Sequence, residues 1–233
     1  MPWTVIRKDF THADSVDCAL GCGRHITSGV AYVVQDENGH VGFAGRTCVR
    51  RAVNYDADHA TIPNFTASTF AVAVAGGGGN AGGNAGNNGG GHAADNRQIA
   101  VTYLLLRFER LNHYRILAKS NGGMLAQIYA RYRTNPNIPD ADINYLLACA
   151  NNITNHLRFN YRNLMAFYNL DNLCKIIGRS RHQNLLPQDK PDADRIAKGL
   201  YTNTQVPPAD IQIINQILQR VESRYRMRVN AFQ

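Results

Sequence analysis

No apolar run in this 233-residue chain approaches the roughly 20 residues a bilayer-spanning helix needs, so no membrane anchor is expected. The opening Met-Pro-Trp-Thr-Val-Ile-Arg-Lys-Asp has no apolar core and does not read as a signal peptide. Cysteine is sparse and odd in number, five in all, which argues against a disulfide framework and for a reducing compartment. A cytoplasmic protein is expected, in the host cytoplasm if the chain is viral. Familiar catalytic signatures are missing too. There is no His-x-Glu, no His-Glu-x-x-His and no serine elbow, and the glycine tract at 75–91 lacks the Lys-Ser/Thr of a phosphate-binding loop. Nothing in the sequence names an enzyme.

Carboxylates are scarce as well: 17 Asp and Glu stand against 25 Lys and Arg, a net charge of +8. The excess is one-sided. Residues 1–72 carry six basic and seven acidic side chains, whereas residues 96–233 carry 19 basic, 15 of them arginine, against nine acidic. The C-terminal half is therefore the half expected to meet a polyanion.

What the chain does have is three of its five cysteines in one short segment. Cys18-Ala-Leu-Gly-Cys22-Gly-Arg-His25 is followed by the apolar run Val30–Val34, a turn at Asp36-Glu-Asn-Gly39, and then Gly45-Arg-Thr-Cys48. A knuckle, a hairpin and a helix start are predicted, with sulfur ligands at both ends of the hairpin. So short a segment cannot fold on its own apolar surface and needs a staple. Zinc takes four N or S ligands in a tetrahedron. Cys18, Cys22 and Cys48 supply three. His25, three residues past Cys22, is the favoured fourth; His40 is the alternative, and His12 and Asp17 are weaker ones. Cys149 and Cys174 fall on apolar helix faces and read as core residues.

The segment resembles the knuckle–hairpin–helix zinc modules of the treble-clef type, in the shortened form found in small proteins of bacteriophages. There a Cys-x-x-Cys-Gly knuckle, a hairpin and a Gly-x-x-Cys at a helix start recur. Cys18, Cys22-Gly23 and Gly45-Arg-Thr-Cys48 match them, with a three-residue gap in the knuckle and a single cysteine in the second half. The resemblance is confined to this segment. It implies a fold and a phage-like origin, not an activity.

The chain divides at a low-complexity Gly/Asn tract, whose side chains cannot pack and which reads as a flexible tether. The expected organisation is α+β. A small β-hairpin zinc module spans 1–72, a Gly/Asn-rich linker 73–95, and a basic all-α domain 96–233. That domain reads as an internal duplication of two similar three-helix units, 96–160 and 161–233. Thr134-Asn-Pro-Asn-Ile-Pro-Asp-Ala-Asp-Ile143 aligns with Thr202-Asn-Thr-Gln-Val-Pro-Pro-Ala-Asp-Ile211 at an offset of 68, identical at six of ten positions. Predicted helices run from Gln98 to Lys119, Met124 to Tyr132 and Asp140 to about Arg158.

In the last predicted helix Arg220, Arg224 and Arg228 recur at i, i+4 and i+8 beside Tyr225, a basic stripe suited to phosphates. Two functional expectations follow. One is a zinc-containing protein that binds DNA or RNA through these residues. The other is an adaptor or inhibitor that binds a host protein with the near-neutral zinc module as its recognition head. Salt dependence separates them, because phosphate contacts release counterions.

Overall fold

Asp36 turns the first hairpin. Its Oδ1 accepts the backbone N–H groups of Asn38 and His40 at 2.9 and 2.8 Å, and Gly39 takes φ +84°, a left-handed conformation costly for a residue with a Cβ. The turn joins the strand that holds the apolar run Val30–Val34 to the strand that follows it. In the computed structural model, which describes residues 3–11, 13–52, 62–66, 96–114, 117, 123–151, 159–203, 205–221, 223 and 225–232, the chain is α+β. The strands are β1 (Trp3–Phe10), β2 (Val16–Asp17), β3 (His25–Ile26), β4 (Val30–Asp36) and β5 (Val41–Ala44). They form an antiparallel sheet in the order β1-β4-β5 and a separate two-stranded ladder β2-β3. Helix α1 (Arg46–Ala52) follows at once, its first turn closed by Val49 N–H donating to Gly45 O at 3.0 Å.

The segment 62–66 lies along the outer edge of β1. Lys8 N–H donates to Pro63 O at 2.9 Å and Phe65 N–H to Lys8 O at 3.0 Å.

The rest of the described chain is helical: α2 (Asn96–Leu105), running into a π turn (Leu106–Arg110), then α3 (Met124–Thr134), α4 (Asp140–Ala150), α5 (Tyr161–Arg179), α6 (Asp189–Gly199) and α7 (Pro208–Arg220). The buried residues of α5 occupy nearly its whole circumference, which makes it the central element; α6 packs along it, and α2 along α4. Asn160 caps α5 by accepting Asn163 N–H at 2.7 Å. Pro139 and Pro207 stand at the N-caps of α4 and α7. Each lends its carbonyl to the third and fourth residues beyond, Asp142 and Ile143 in one case, Asp210 and Ile211 in the other. The first-turn Asp142 of α4 is then held by Arg131 of α3 at 2.8 Å, and Asp210 of α7 by Arg195 of α6 at 2.8 Å.

Three expectations need correction. The helix predicted from Gln98 to Lys119 gives way after Leu105 to a π turn ending at Arg110. The helix predicted from Asp140 to Arg158 is helical to Ala150, and residues 152–158 lie outside the described residues. Most importantly, α7 ends at Arg220, so Arg220, Arg224 and Arg228 do not form a stripe on one helix. The chain is turned back there by contacts distant in sequence. Asn184 Nδ2 donates to Arg220 O at 3.3 Å, and Asn215 both accepts Met227 N–H at 2.8 Å and donates to Met227 O at 2.7 Å, drawing the tail back along α7.

The described parts of the two halves pack against each other. The Gly/Asn tract lies outside the described residues, but the parts on either side share one core. Phe10 of β1 packs on Tyr168 and Tyr225 with ring centres 6.1 and 6.2 Å apart, and Phe65 on Tyr168 at 5.6 Å. Asp9, almost fully buried, accepts the Tyr168 hydroxyl at 2.8 Å and pairs with Arg110 at 2.9 Å and Arg7 at 3.2 Å. Gln98 Nε2 donates to Ile62 O at 2.7 Å. A second, smaller core made of Val5, Val34, Ala44, Val49 and their neighbours lies within the N-terminal module. Cys174 is buried and Cys149 half-buried in the helical core, where the sequence put them.

Candidate metal centre

The knuckle is built by backbone geometry. Gly21 and Gly23 both sit at left-handed φ, +68° and +67°, which lets Cys18 and Cys22 face inward across a three-residue gap. Cys18 N–H donates to Arg24 O at 3.1 Å and Gly21 N–H to Cys18 O at 3.3 Å, closing the turn between β2 and β3. The knuckle is docked on the sheet by Ala19 N–H, which donates to Phe43 O at 2.8 Å. That docking requires glycine at 42: a Cβ there would stand 2.4 Å from the Ala19 Cβ. Cys48 comes from the opposite side, in the first turn of α1.

The result is that Cys18, Cys22 and Cys48, from two elements 26 residues apart at their nearest, bring their Sγ atoms within 4.8 Å of one another. Thiolates bound to one tetrahedral zinc at about 2.3 Å stand about 3.8 Å apart, so the donor set fits such an ion with little movement. Cys18 is buried, Cys48 half-buried and Cys22 exposed, so the group lies at the module's surface.

The thiols interact before any cation is considered. Cys48 S–H donates to Cys22 Sγ at 3.1 Å. That bond, helped by the backbone at Arg24, draws the Cys22 pKa down; the same bond, with burial and Cys18 adding, pushes Cys48 up to about 12. Three sulfurs this close cannot all ionise unaided. A divalent cation among them removes the obstacle, because it stabilises every thiolate at once.

Neither histidine belongs to the three-sulfur group. His25 faces Asp17 across the β2-β3 ladder, with its Nδ1 2.6 Å from Asp17 Oδ1. It also lines the 260 Å³ cleft beside Cys18 and Cys48, together with Arg24 and Arg46. His40 is tied to the hairpin turn by Asp36, 3.0 Å from its Nδ1. His12 lies outside the described residues. Sequence reading missed what Asp17 does: it stands as the partner of His25, a role fixed by strand register and carrying no local sequence signal.

The described residues expected to bind nucleic acid, Arg220, Tyr225 and Arg228, stand in different surroundings. Arg220 forks onto buried Asp189, with Nε to Oδ2 at 3.0 Å and a second bond from its Nη2 to Oδ1. Tyr225 packs half-buried against Phe10. Arg228 is exposed on the tail, and Arg224 lies outside the described residues. No described helix is long and apolar enough to cross a membrane. Comparison with protein-family models, with curated proteins and with solved structures finds no match to this chain.

Proposed function

We propose that this is a zinc-containing nucleic-acid-binding protein in which the metal is structural. The observation that carries the metal reading is the convergence of the Cys18, Cys22 and Cys48 sulfurs within 4.8 Å. Three thiolates and an imidazole make a closed tetrahedral set, the kind that staples a fold and leaves no position open for substrate. His25 is the fourth ligand in this reading. A carboxylate on Nδ1, here Asp17, is the usual outer partner of a zinc-bound imidazole, since it fixes the tautomer that leaves Nε2 for the metal. The polyanion reading is supported by the excess of arginine over acid beyond the Gly/Asn tract.

The helical part is read here as a duplicated three-helix unit. The Pro139 and Pro207 caps, each followed three residues later by an Asp bound to an Arg of the preceding helix, support that reading.

Native mass spectrometry of the purified chain tests the metal: one zinc per monomer is expected. A chain without stoichiometric metal, whose amide spectrum a chelator leaves unchanged, refutes the zinc reading. Oligonucleotide affinity measured against salt tests the rest, and binding to a protein partner without salt dependence returns the adaptor reading.

A further inference from the structure

Among the described residues of the N-terminal module, charges of opposite sign stand apart. Three acids of the described module, Asp9, Asp17 and Asp36, are engaged elsewhere. Asp9 is buried toward the helices against Arg7, Arg110 and Tyr168; Asp36 holds the hairpin turn and His40; Asp17 holds His25. Three of the module's cations, Lys8, Arg46 and Arg50, lie near one another. Lys8 of β1 is paired with Tyr32 of β4, and Tyr32 with Ala44 of β5, so the three form a row across the sheet. Helix α1 starts two residues later and brings Arg46 and Arg50, one turn apart, to the end of that row. Lys8 Nζ lies 5.9 Å from the Tyr32 ring centre. Arg46 is near enough to act electrostatically on both Lys8 and Tyr32, and Arg50 on Tyr32. Burial, and then the Arg46 charge, hold the Lys8 ammonium below its ordinary pKa. Among the described residues, no carboxylate pairs with Lys8, Arg46 or Arg50.

We infer that the face formed by Lys8, Tyr32, Arg46 and Arg50 is a binding surface for successive phosphates of a nucleic-acid backbone. Two exposed arginines beside the partly buried Lys8 ammonium repel one another in isolation, and the group that relieves them is an anion. The cations are spread along a sheet row and a helix rather than gathered in a pocket, which suits a linear polyanion better than a single small phosphate. Two arginines offer planar forks that each grip two oxygens of a phosphate. The inference rests on the nucleic-acid reading and moves the contact from the C-terminal tail to the zinc module.

The test uses the full chain, with fluorescence anisotropy of a labelled single-stranded oligonucleotide and of its duplex, each over a range of salt. The triple variant Lys8→Gln/Arg46→Gln/Arg50→Gln is expected to flatten the log–log salt slope by about 2 to 3, since each lost phosphate contact removes roughly 0.7–0.9. Arg228→Gln, which removes an exposed arginine of the tail, is expected to leave the slope at the parent's value. Metal content and melting temperature verify that the triple variant folds; if it does not, Arg50→Gln alone replaces it and is expected to flatten the slope by about 0.7–0.9. Parent-like affinity and slope in the folded triple variant, or in its Arg50→Gln replacement, overturn the surface and leave the nucleic-acid reading standing. A parent that binds neither oligonucleotide overturns both.

Discussion

An arginine in the last turn of a helix tells little until its partner is known. Arg220 reads in sequence as a surface cation, yet it closes on Asp189, only 3% exposed and 31 residues upstream. Burial alone would raise the Asp189 carboxyl; the Arg220 fork and the Leu186 N–H more than reverse this and hold its pKa below the ordinary value. A depressed carboxylate stabilises the fold above its unfolded pKa and ceases to do so as pH falls through the folded one, so this contribution fades only in acid, below about pH 4. Arg220→Gln leaves a buried charge without its partner and is expected to cost about 3 kcal/mol, the low end for a broken buried pair because Arg220 is partly exposed. Arg228→Gln should stay within about 0.5 kcal/mol. Urea melts at neutral pH compare the two directly, and equal costs would show that the Asp189 pair contributes nothing. The histidines make a second contrast at this scale. His25→Ala is expected to weaken zinc retention against a chelator by about ten- to a hundredfold or more, the scale set by loss of an outer partner alone, while His40→Ala leaves it near the parent. A larger loss at His40 would transfer the fourth ligand to the hairpin turn.

At the scale of elements, what was legible in the sequence is what local chemistry decides. Cys18, Cys22 and Cys48 could be read as one site because glycines at 21, 23 and 45 bend the chain beside them, and the Asp36–Gly39 turn could be read from its own residues. The prolines before α4 and α7 marked two helix starts for the same reason. The helix ends were not legible. Residues 221–228 continue a plausible helical pattern, yet α7 stops at Arg220, where Asn215 and Asn184, which their own neighbourhoods do not mark, bind the tail and the last turn. The Lys8, Arg46 and Arg50 face was equally hidden, since strand register and a helix start bring together residues whose summed charge with their neighbours is near zero. Gly42 shows how closely the elements are fitted. Gly42→Ala places a methyl 2.4 Å from the Ala19 Cβ, so β5 and the knuckle must part. The expected cost is about 1–3 kcal/mol, as for other overpacked sites. It should be accompanied by faster zinc loss, because the displaced knuckle carries Cys18 and Cys22. A variant that melts early but holds zinc like the parent would separate the docking from the site.

At the scale of the whole molecule, the sequence divides where the structure joins. The Gly/Asn tract marks a break in composition, and from it a pair of independently folding halves is the natural reading. The described residues on either side are nevertheless packed together, Phe10 and Phe65 in the helical core around Tyr168 and Asp9 in the polar cluster with Arg110. Removing a large buried aromatic costs about 3–5 kcal/mol, a large share of the 5–15 kcal/mol that a domain typically has. Phe10→Ala should therefore destabilise the helices, although the substitution lies in the first strand. The chain carries its own probe for this, since its single tryptophan, Trp3, packs against the small core of the N-terminal module, while the far-ultraviolet circular dichroism is dominated by α2 to α7. In a denaturant titration the Trp3 fluorescence and the helical signal are expected to change together, at one midpoint, as coincident probes of a single cooperative transition. A chelator should move both midpoints down by the same amount, because metal bound only to the folded module stabilises whatever is coupled to it. A Trp3 transition that shifts alone, with the helical midpoint unmoved, would mean that the Asp9, Phe10 and Phe65 contacts are too weak to couple the halves.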